Sequence, residues 1–293
     1  MNNQFRRVLV IGAGLIGTSM ALALRRASGN ILIDAVEGQD GYRREAQRVG
    51  VFDSVWPDIT AVQQDYELAV LAIPARAACS LADSVSEVAE WTMDVCSIKR
   101  PIVEVFSRIA AKGRRCVPTH PMAGKAKGGP GAAEADLFRG RPWLFLETHP
   151  APLQLEQMVA ELGAVPTYVH SADDHDRNLA YLSHGIHLTS LSAMQAATGV
   201  EIDVAARIAG PAFWDITRLA ASPSGFWIDT LLDNRDFVLE YLGGLQVEIQ
   251  RFVRALQAAD EELLRDLLDQ ARGSREGVEG ARARHKAATE TSD

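Results

Sequence analysis

The chain is poor in cysteine, has no long apolar run and carries no excess of positive charge. Only Cys79, Cys96 and Cys116 occur among 293 residues, widely spaced and without a CxxC pair. That argues against a disulfide framework and is expected of thiols kept reduced in the cytoplasm. No stretch approaches the roughly 18 to 20 apolar residues that a membrane span needs. The first apolar run, at Val8, is too short and wrongly flanked for a secretion signal. The net charge of −8 disfavours nucleic acid as a partner, because phosphate contacts need a basic surface. A small anion needs only one or two local arginines or lysines, and stays open. With 47% hydrophobic and 23% charged residues, the composition is that of a globular protein able to bury a core.

What is present starts at the first apolar run. Val8 to Ile11 reads as a strand buried on both faces, and Gly12-Ala13-Gly14-Leu15-Ile16-Gly17 follows at once. A bare GxGxxG carries little weight. This one leaves a buried strand, opens a helix, and has an acid, Glu37, twenty residues beyond Gly17 at the end of a second strand. Together these are the dinucleotide-binding fingerprint. Gly12 allows the turn, Gly14 lets the backbone approach a pyrophosphate, and Gly17 lets helix and strand pack closely. Glu37 is placed to accept from the adenosine ribose and to repel a 2′-phosphate, which favours NAD. Arg43 and Arg44, a few residues on, leave NADP open.

Alternation continues through "YELAVLAIP", "WTMDVCSIK" and "RRCVPTHP", read as three more buried strands, and through "RPWLFLE" and "VPTYVHS". The expected fold is α/β, a doubly wound parallel sheet of the Rossmann kind. After Ser171 strand signals stop, and the chain is nearly all helix-forming with breaks at Gly199, Gly210-Pro211 and Ser222-Pro223. The expected domains are a dinucleotide-binding domain over residues 1–171, an all-helical domain over 172–272, and a polar tail over 273–293. So much apolar helix points to homodimerisation through the helical half.

Ligands of a doubly wound sheet sit beyond the C-terminal strand ends. Pro74, Ser97 and His120 fall at such ends, facing the nicotinamide half of a cofactor. In the helical half, His184 and His187 are three residues apart and share a helix face. With no HExxH and no nearby cysteine, a cleft-lining pair is the better reading, and no metal is expected. "GPAFWDITRLAASPSGFW" carries Asp215 and Arg218 amid apolar residues. An arginine in such a helix needs an anion; Asp215 or a substrate carboxylate meets that need.

In order, GAGLIG, DVCSIK, THPMAGKAKGGPGAAEADLFRGRPW, HDRNLAYLSHGIH and FWDITRLAASPSGFW resemble the prephenate/arogenate dehydrogenase family of tyrosine biosynthesis. The match runs from the glycine loop to about Asn234. The resemblance implies an N-terminal Rossmann domain, a C-terminal helical dimerisation domain, and a site in the cleft between them. It implies oxidative decarboxylation of a cyclohexadienyl substrate, with hydride passing to NAD(P)+ as the ring becomes aromatic. By the same resemblance His120 is the base, Ser97 helps hold it, His187 and His184 line the substrate side, and Arg218 binds a substrate carboxylate. The chain departs from the pattern at Lys125 and Ala126, where Ser or Thr and then Glu are common. Ile186 replaces a proline, and Trp214 replaces a basic residue. Prephenate, arogenate and 4-amino-4-deoxyprephenate therefore all stay open as substrates. A β-hydroxyacid dehydrogenase or imine reductase is a competing reading, but such enzymes usually rely on a lysine in the helical domain, and none lies between Asp173 and Gln270. A non-catalytic NAD-binding sensor would bind cofactor without turnover.

Overall fold

The computed structural model describes residues 5–125 and 127–290. The first part alternates strand and helix: β1 (Arg7–Ile11), α1 (Leu15–Ala27), β2 (Leu32–Val36), α2 (Asp40–Val49), β3 (Ser54–Trp56), β4 (Tyr66–Leu71), α3 (Ala75–Glu87), β5 (Ala89–Asp94), α4 (Arg100–Ala110) and β6 (Arg115–Val117). All six strands are parallel, in the order β3-β2-β1-β4-β5-β6. The order reverses between β1 and β4, which makes the end of β1 the switch point where such sheets bind ligands. Val8, Leu9 and Val10 are wholly buried, because helices cover both faces of a parallel sheet. The short β3 carries too few apolar residues to be read as a strand from sequence.

"RRCVPTHP" is not one strand. It divides into β6, in the parallel sheet, and β7 (Thr119–Pro121), in a second sheet of three strands. Pro118, between them, has no N–H to continue the ladder. β7 runs antiparallel to β8 (Pro142–Leu146), with His120 opposite Leu144. β8 in turn pairs parallel with β9 (Val165–Val169), reached through α5 (Leu153–Glu161).

Helices follow: α6 (Ala172–Leu179), a π-helical turn over Ala180–His184, α7 (Gly185–Ala196), α8 (Ile202–Ile208), α9 (Pro211–Thr217) and α10 (Ser224–Asp233). Ser171 caps α6 by accepting from the Asp174 amide at 3.1 Å. The breaks fall where glycine and proline placed them. These helices belong to the same compact unit as the sheets, Met1–Val238. The sequence suggested a boundary near residue 171. Asp176 of α6 is hydrogen-bonded to the start of α4, which ties the helices after residue 171 to the parallel sheet, as described below.

The second unit is Leu239–Asp293. It holds most of α11 (Arg235–Ala258) and all of α12 (Glu261–Glu290), with Ala255 and Leu267 buried. Residues 273–290 of the expected polar tail continue α12. Its (i, i+4) pairs Arg272–Glu276 and Arg275–Glu279 support the helix on a solvated face. Among the described residues no helix is long and apolar enough to cross a membrane.

Candidate active site

The glycine loop sits at the switch point. Gly12 has φ +98°, and a Cβ there would meet the carbonyl oxygen of Ala72. A Cβ on Gly17 would overlap Gly12 O and come within 2.7 Å of Val10 Cγ1. Gly14 differs, since nothing lies within 4 Å of its would-be Cβ and its φ is −77°. Neither packing nor backbone strain requires glycine there, so the space beside it suits close approach of a ligand. Gly14 is the N-cap of α1, whose first turn includes Leu15 and Ile16 and has no side-chain cap and no acid. That helix end offers free N–H groups to an anion. Glu37 is 8% exposed. Its carboxylate accepts from the amides of Ala13 at 3.1 Å and Gln39 at 2.8 Å, so it also braces the loop. Arg43 donates to the Glu37 carbonyl at 2.9 Å and pairs with Asp40. Pro74 is the exposed N-cap of α3, beyond the end of β4. These residues fit a dinucleotide.

The distinction among the glycines is testable. Gly14→Ala is expected to melt within about 1 kcal/mol of wild type, since a cap change is the sole structural cost. It should bind NAD+ at least ~10-fold more weakly, about 1.4 kcal/mol. Isothermal titration beside a thermal melt separates the two effects, and unchanged affinity would remove the pyrophosphate from this position.

His120 is 8% exposed, and its hydrogen-bond partner is not Ser97. Its Nδ1 lies 3.0 Å from Nε2 of His175, whose Nδ1 lies 2.7 Å from Asp176 Oδ1. Ser97 is half-buried in the loop after β5, and no hydrogen bond joins it to His120 among the described residues. Asp176 is buried and heavily engaged. Oδ1 accepts from the Lys99 amide at 2.7 Å, and Oδ2 from the Arg100 amide at 2.9 Å and Arg100 Nε at 3.3 Å. It thus caps α4 from α6. Arg100 also pairs with Asp236, whose carboxyl is held down at about 2 by that guanidinium.

β7 is fixed from behind by a fully buried ion pair. Lys99 Nζ contacts Asp94 and donates to Thr119 O at 2.6 Å. Asp94 also accepts from the Thr119 amide at 3.1 Å and the Cys96 amide at 2.8 Å. Thr119, the residue before His120, is therefore tied to the end of β5.

Asn234 extends the cluster. Its Nδ2 donates to Asp176 O at 2.8 Å and lies 3.1 Å from His184 Nδ1, while its Oδ1 accepts from Arg100 at 3.0 Å. His187 stacks on Trp227 with ring centroids 3.6 Å apart, and His184 meets that indole edge-on. His184 therefore bonds to Asn234 and does not support His187 directly. His187 is 2% exposed, and its buried Nδ1 has no hydrogen-bond partner among the described residues. A polar atom so placed is costly unless a ligand satisfies it. The π-helical turn sets these two histidines on the inward face, and such turns gather at functional sites.

Asp215 and Arg218 stand apart. Both are exposed, and no ion pair joins them among the described residues. Their segment is anchored to α7 by the Ser190 hydroxyl, which donates to Ile216 O at 2.6 Å. The burial expected from their apolar neighbours is absent because those neighbours are themselves exposed, Trp214 at 55%. Lys125 pairs with Glu134 and donates to Ala132 O at 2.9 Å, so its charge is met locally. Ala126 lies outside the described residues.

Burial holds the clustered histidines neutral. His120 is pushed well below its ordinary value by burial, then by His175 and Lys99. His175 is lowered by burial against the pull of Asp176, and His187 by burial. His184 falls from 6.5 to about 4, again chiefly by burial. Burial opposes ionisation of Asp176, but hydrogen bonds from His175, Arg100 and Lys99 outweigh it and hold the carboxyl low. For these histidines the unfolded chain takes up protons first as pH falls. Their stabilising effect is full above about pH 6.5 and declines as pH falls below it; for His184 it is lost by about pH 4. His184 alone should cost about 2 kcal/mol by pH 5. Thermal melts at pH 7 and pH 5 check this, and an equal melting temperature would mean that the cluster is already charged.

Sequence reading missed His175, Asp176, Asn234, Trp227 and the Lys99–Asp94 pair. Lys99 and the His-Asp pair stood inside recognised stretches, DVCSIK and HDRN, but with no role.

A dinucleotide loop at the switch point and a buried histidine cluster beside the sheet define a nicotinamide-dependent oxidoreductase. Comparison with known proteins makes this specific. The nucleotide-binding domain model of prephenate dehydrogenase matches residues 20–166, and the corresponding dimerization domain model matches residues 171–270. A probable prephenate dehydrogenase of Streptomyces niveus, NovF, is 31% identical, with 86% of this chain and 69% of that protein covered. A prephenate dehydrogenase of Bacillus subtilis is 27% identical over 95% of this chain and 77% of its own length. Prephenate dehydrogenase from Aquifex aeolicus, solved with hydroxyphenyl propionate and NAD+, superposes with a TM-score of 0.82 at 22% identity, covering 93% of this chain and 98% of that one. The chain belongs to the prephenate dehydrogenase family.

Proposed function

We propose that the protein carries out oxidative decarboxylation of prephenate, or of a close cyclohexadienyl analogue, with NAD+ and with His120 as the base. The observation that carries this reading is the state of His120. It is buried and neutral, and its Nδ1 is taken by His175, which leaves Nε2 to accept a proton. Gly12, Gly14, Gly17 and the start of α1 would hold the pyrophosphate, and Glu37 the ribose hydroxyls. When bound, the nicotinamide supplies the hydride acceptor. His120 takes the proton of the 4-hydroxyl as the C4 hydride departs, and loss of the ring carboxylate as CO2 completes aromatisation. The unpartnered Nδ1 of His187 offers one polar contact to substrate, with Trp227 behind its ring. Arg218, with no ion pair among the described residues, offers a fork for a carboxylate. NADP+ is the alternative cofactor. Arogenate and 4-amino-4-deoxyprephenate are the alternative substrates, because Lys125 and Trp214 stand where the family pattern differs.

A homodimer is part of the proposal. Leu182, Ile202, Ile208, Trp214 and Ile228 leave large apolar side chains exposed in the helical segment, and that segment falls within the matched dimerization domain. A cytoplasmic location fits the three free cysteines.

The test is absorbance at 340 nm with purified protein, NAD+ or NADP+, and each of the three substrates in turn. Reduction with one of them fixes substrate and cofactor together. Silence with all three despite measurable NAD+ binding would overturn the reading in favour of another substrate class or a sensor.

A further inference from the structure

We propose that His175 and Asp176 form a relay behind His120 that selects its reactive nitrogen and receives its proton. The inference rests on His120 being the base and goes beyond it, because the proton's onward path is set by groups that do not touch substrate.

The argument is one of donors and acceptors. Asp176 is a carboxylate, already accepting from two backbone amides, so it can only accept from His175 Nδ1. His175 therefore carries its proton on Nδ1, and its Nε2 is bare. A bare Nε2 at 3.0 Å requires His120 Nδ1 to be the donor. His120 is thereby locked as the Nδ1–H tautomer with its lone pair on Nε2. Without this lock the two tautomers compete, and the Nε2–H form has no lone pair there to act as base.

The step balances simply. The O–H bond of the substrate hydroxyl breaks and an N–H bond forms at His120 Nε2. The Nδ1–H bond of His120 breaks as one forms at His175 Nε2. Asp176 keeps its charge and stabilises the resulting imidazolium. No second oxidant is involved, since the hydride acceptor belongs to the proposed reaction. Loss of CO2 leaves the ring oxygen as a phenolate, and the proton returns through His120 Nε2 to that oxygen, so the product leaves as the phenol with no net proton released. Two further charges act on the pair, Lys99 opposing protonation of both histidines and Asp94 favouring that of His175; nearby His184 opposes that of His120. Arg100 faces Asp176 from α4 and keeps it ionised.

Two variants separate the roles. His175→Gln keeps an oxygen that accepts from His120 Nδ1 but cannot take the proton; His175→Phe removes both functions. With the full chain, kcat is expected to fall in the order wild type, Gln, Phe, by ~10²-fold or more for Phe, with KM little changed. The acid limb of the kcat/KM profile should move to lower pH in the Phe variant, because the imidazolium of His120 loses its acceptor. Equal kcat and an unmoved limb in both variants would overturn the relay. Long-range ¹⁵N–¹H spectra of the ¹⁵N-histidine-labelled protein need no substrate and are read whether or not the Phe variant folds. They should show Nδ1–H on His120 and His175 at neutral pH, and Nε2–H on His120 would overturn the lock. If wild type turns over none of the three substrates, the proposed function fails, while these spectra still decide the hydrogen-bond direction.

Discussion

Replacing His120 with asparagine should lower kcat by about 10² to 10⁴, the range a positioned base contributes. Asparagine is close in size, and its amide can still donate to His175 Nε2, so the strand and the buried pair behind it should survive. NAD+ affinity should hold, because the glycine loop and Glu37 lie on other elements. Steady-state rates at 340 nm, paired with a cofactor titration, read the two quantities separately. Turnover near the wild-type rate would remove His120 from the chemistry and leave the cluster as a structural core. A parallel loss of NAD+ binding would show instead that β7 had shifted.

The second large effect is expected at Lys99. Replacing it with methionine keeps the length of the stem and deletes the charge, leaving Asp94 ionised with no cation inside the protein. Breaking a buried pair by removing one partner costs about 3 to 5 kcal/mol. For a unit of this size that corresponds to a fall in Tm on the order of 10 °C. The loss should also reach the site, since Lys99 holds Thr119 O and so the residue before His120. An unchanged melting temperature would mean that the amides of Cys96 and Thr119 satisfy Asp94 by themselves. The opposite substitution, Asp94→Asn, strands the lysine and should be no milder.

The Rossmann half was legible because each of its signals is local: a buried apolar run, glycines at fixed spacing, an acid at the end of the next strand. His120 was legible as a strand-end histidine, but its sheet was not, since Cys116-Val117 and Thr119-His120 on either side of one proline read equally well as one strand. His175 and Asp176 were hidden by their own neighbours. "SADDHD" looks like a capped helix start with acids in its first turn, and Ser171 with Asp174 does play that part. Nothing local marks the third aspartate as the one that turns inward to cap a different helix. For Arg218 the sequence named the residue but not its surroundings. Apolar periodicity around Phe213, Trp214 and Ile216 suggests a covered face, but it does not say what covers it, and within one chain that face is open.

One residue, Pro118, separates a strand of the first sheet from a strand of the second, and His120 lies two positions further on. Side chains alternate faces along a strand, so adding or deleting a single residue at this link would turn every side chain of β7 over. His120 would then point away from His175. Chain length here is thus as much a determinant of the site as residue identity. An insertion-and-deletion library should find it closed, in contrast to the glycine-rich loop over residues 127–133, where length can vary without inverting a strand.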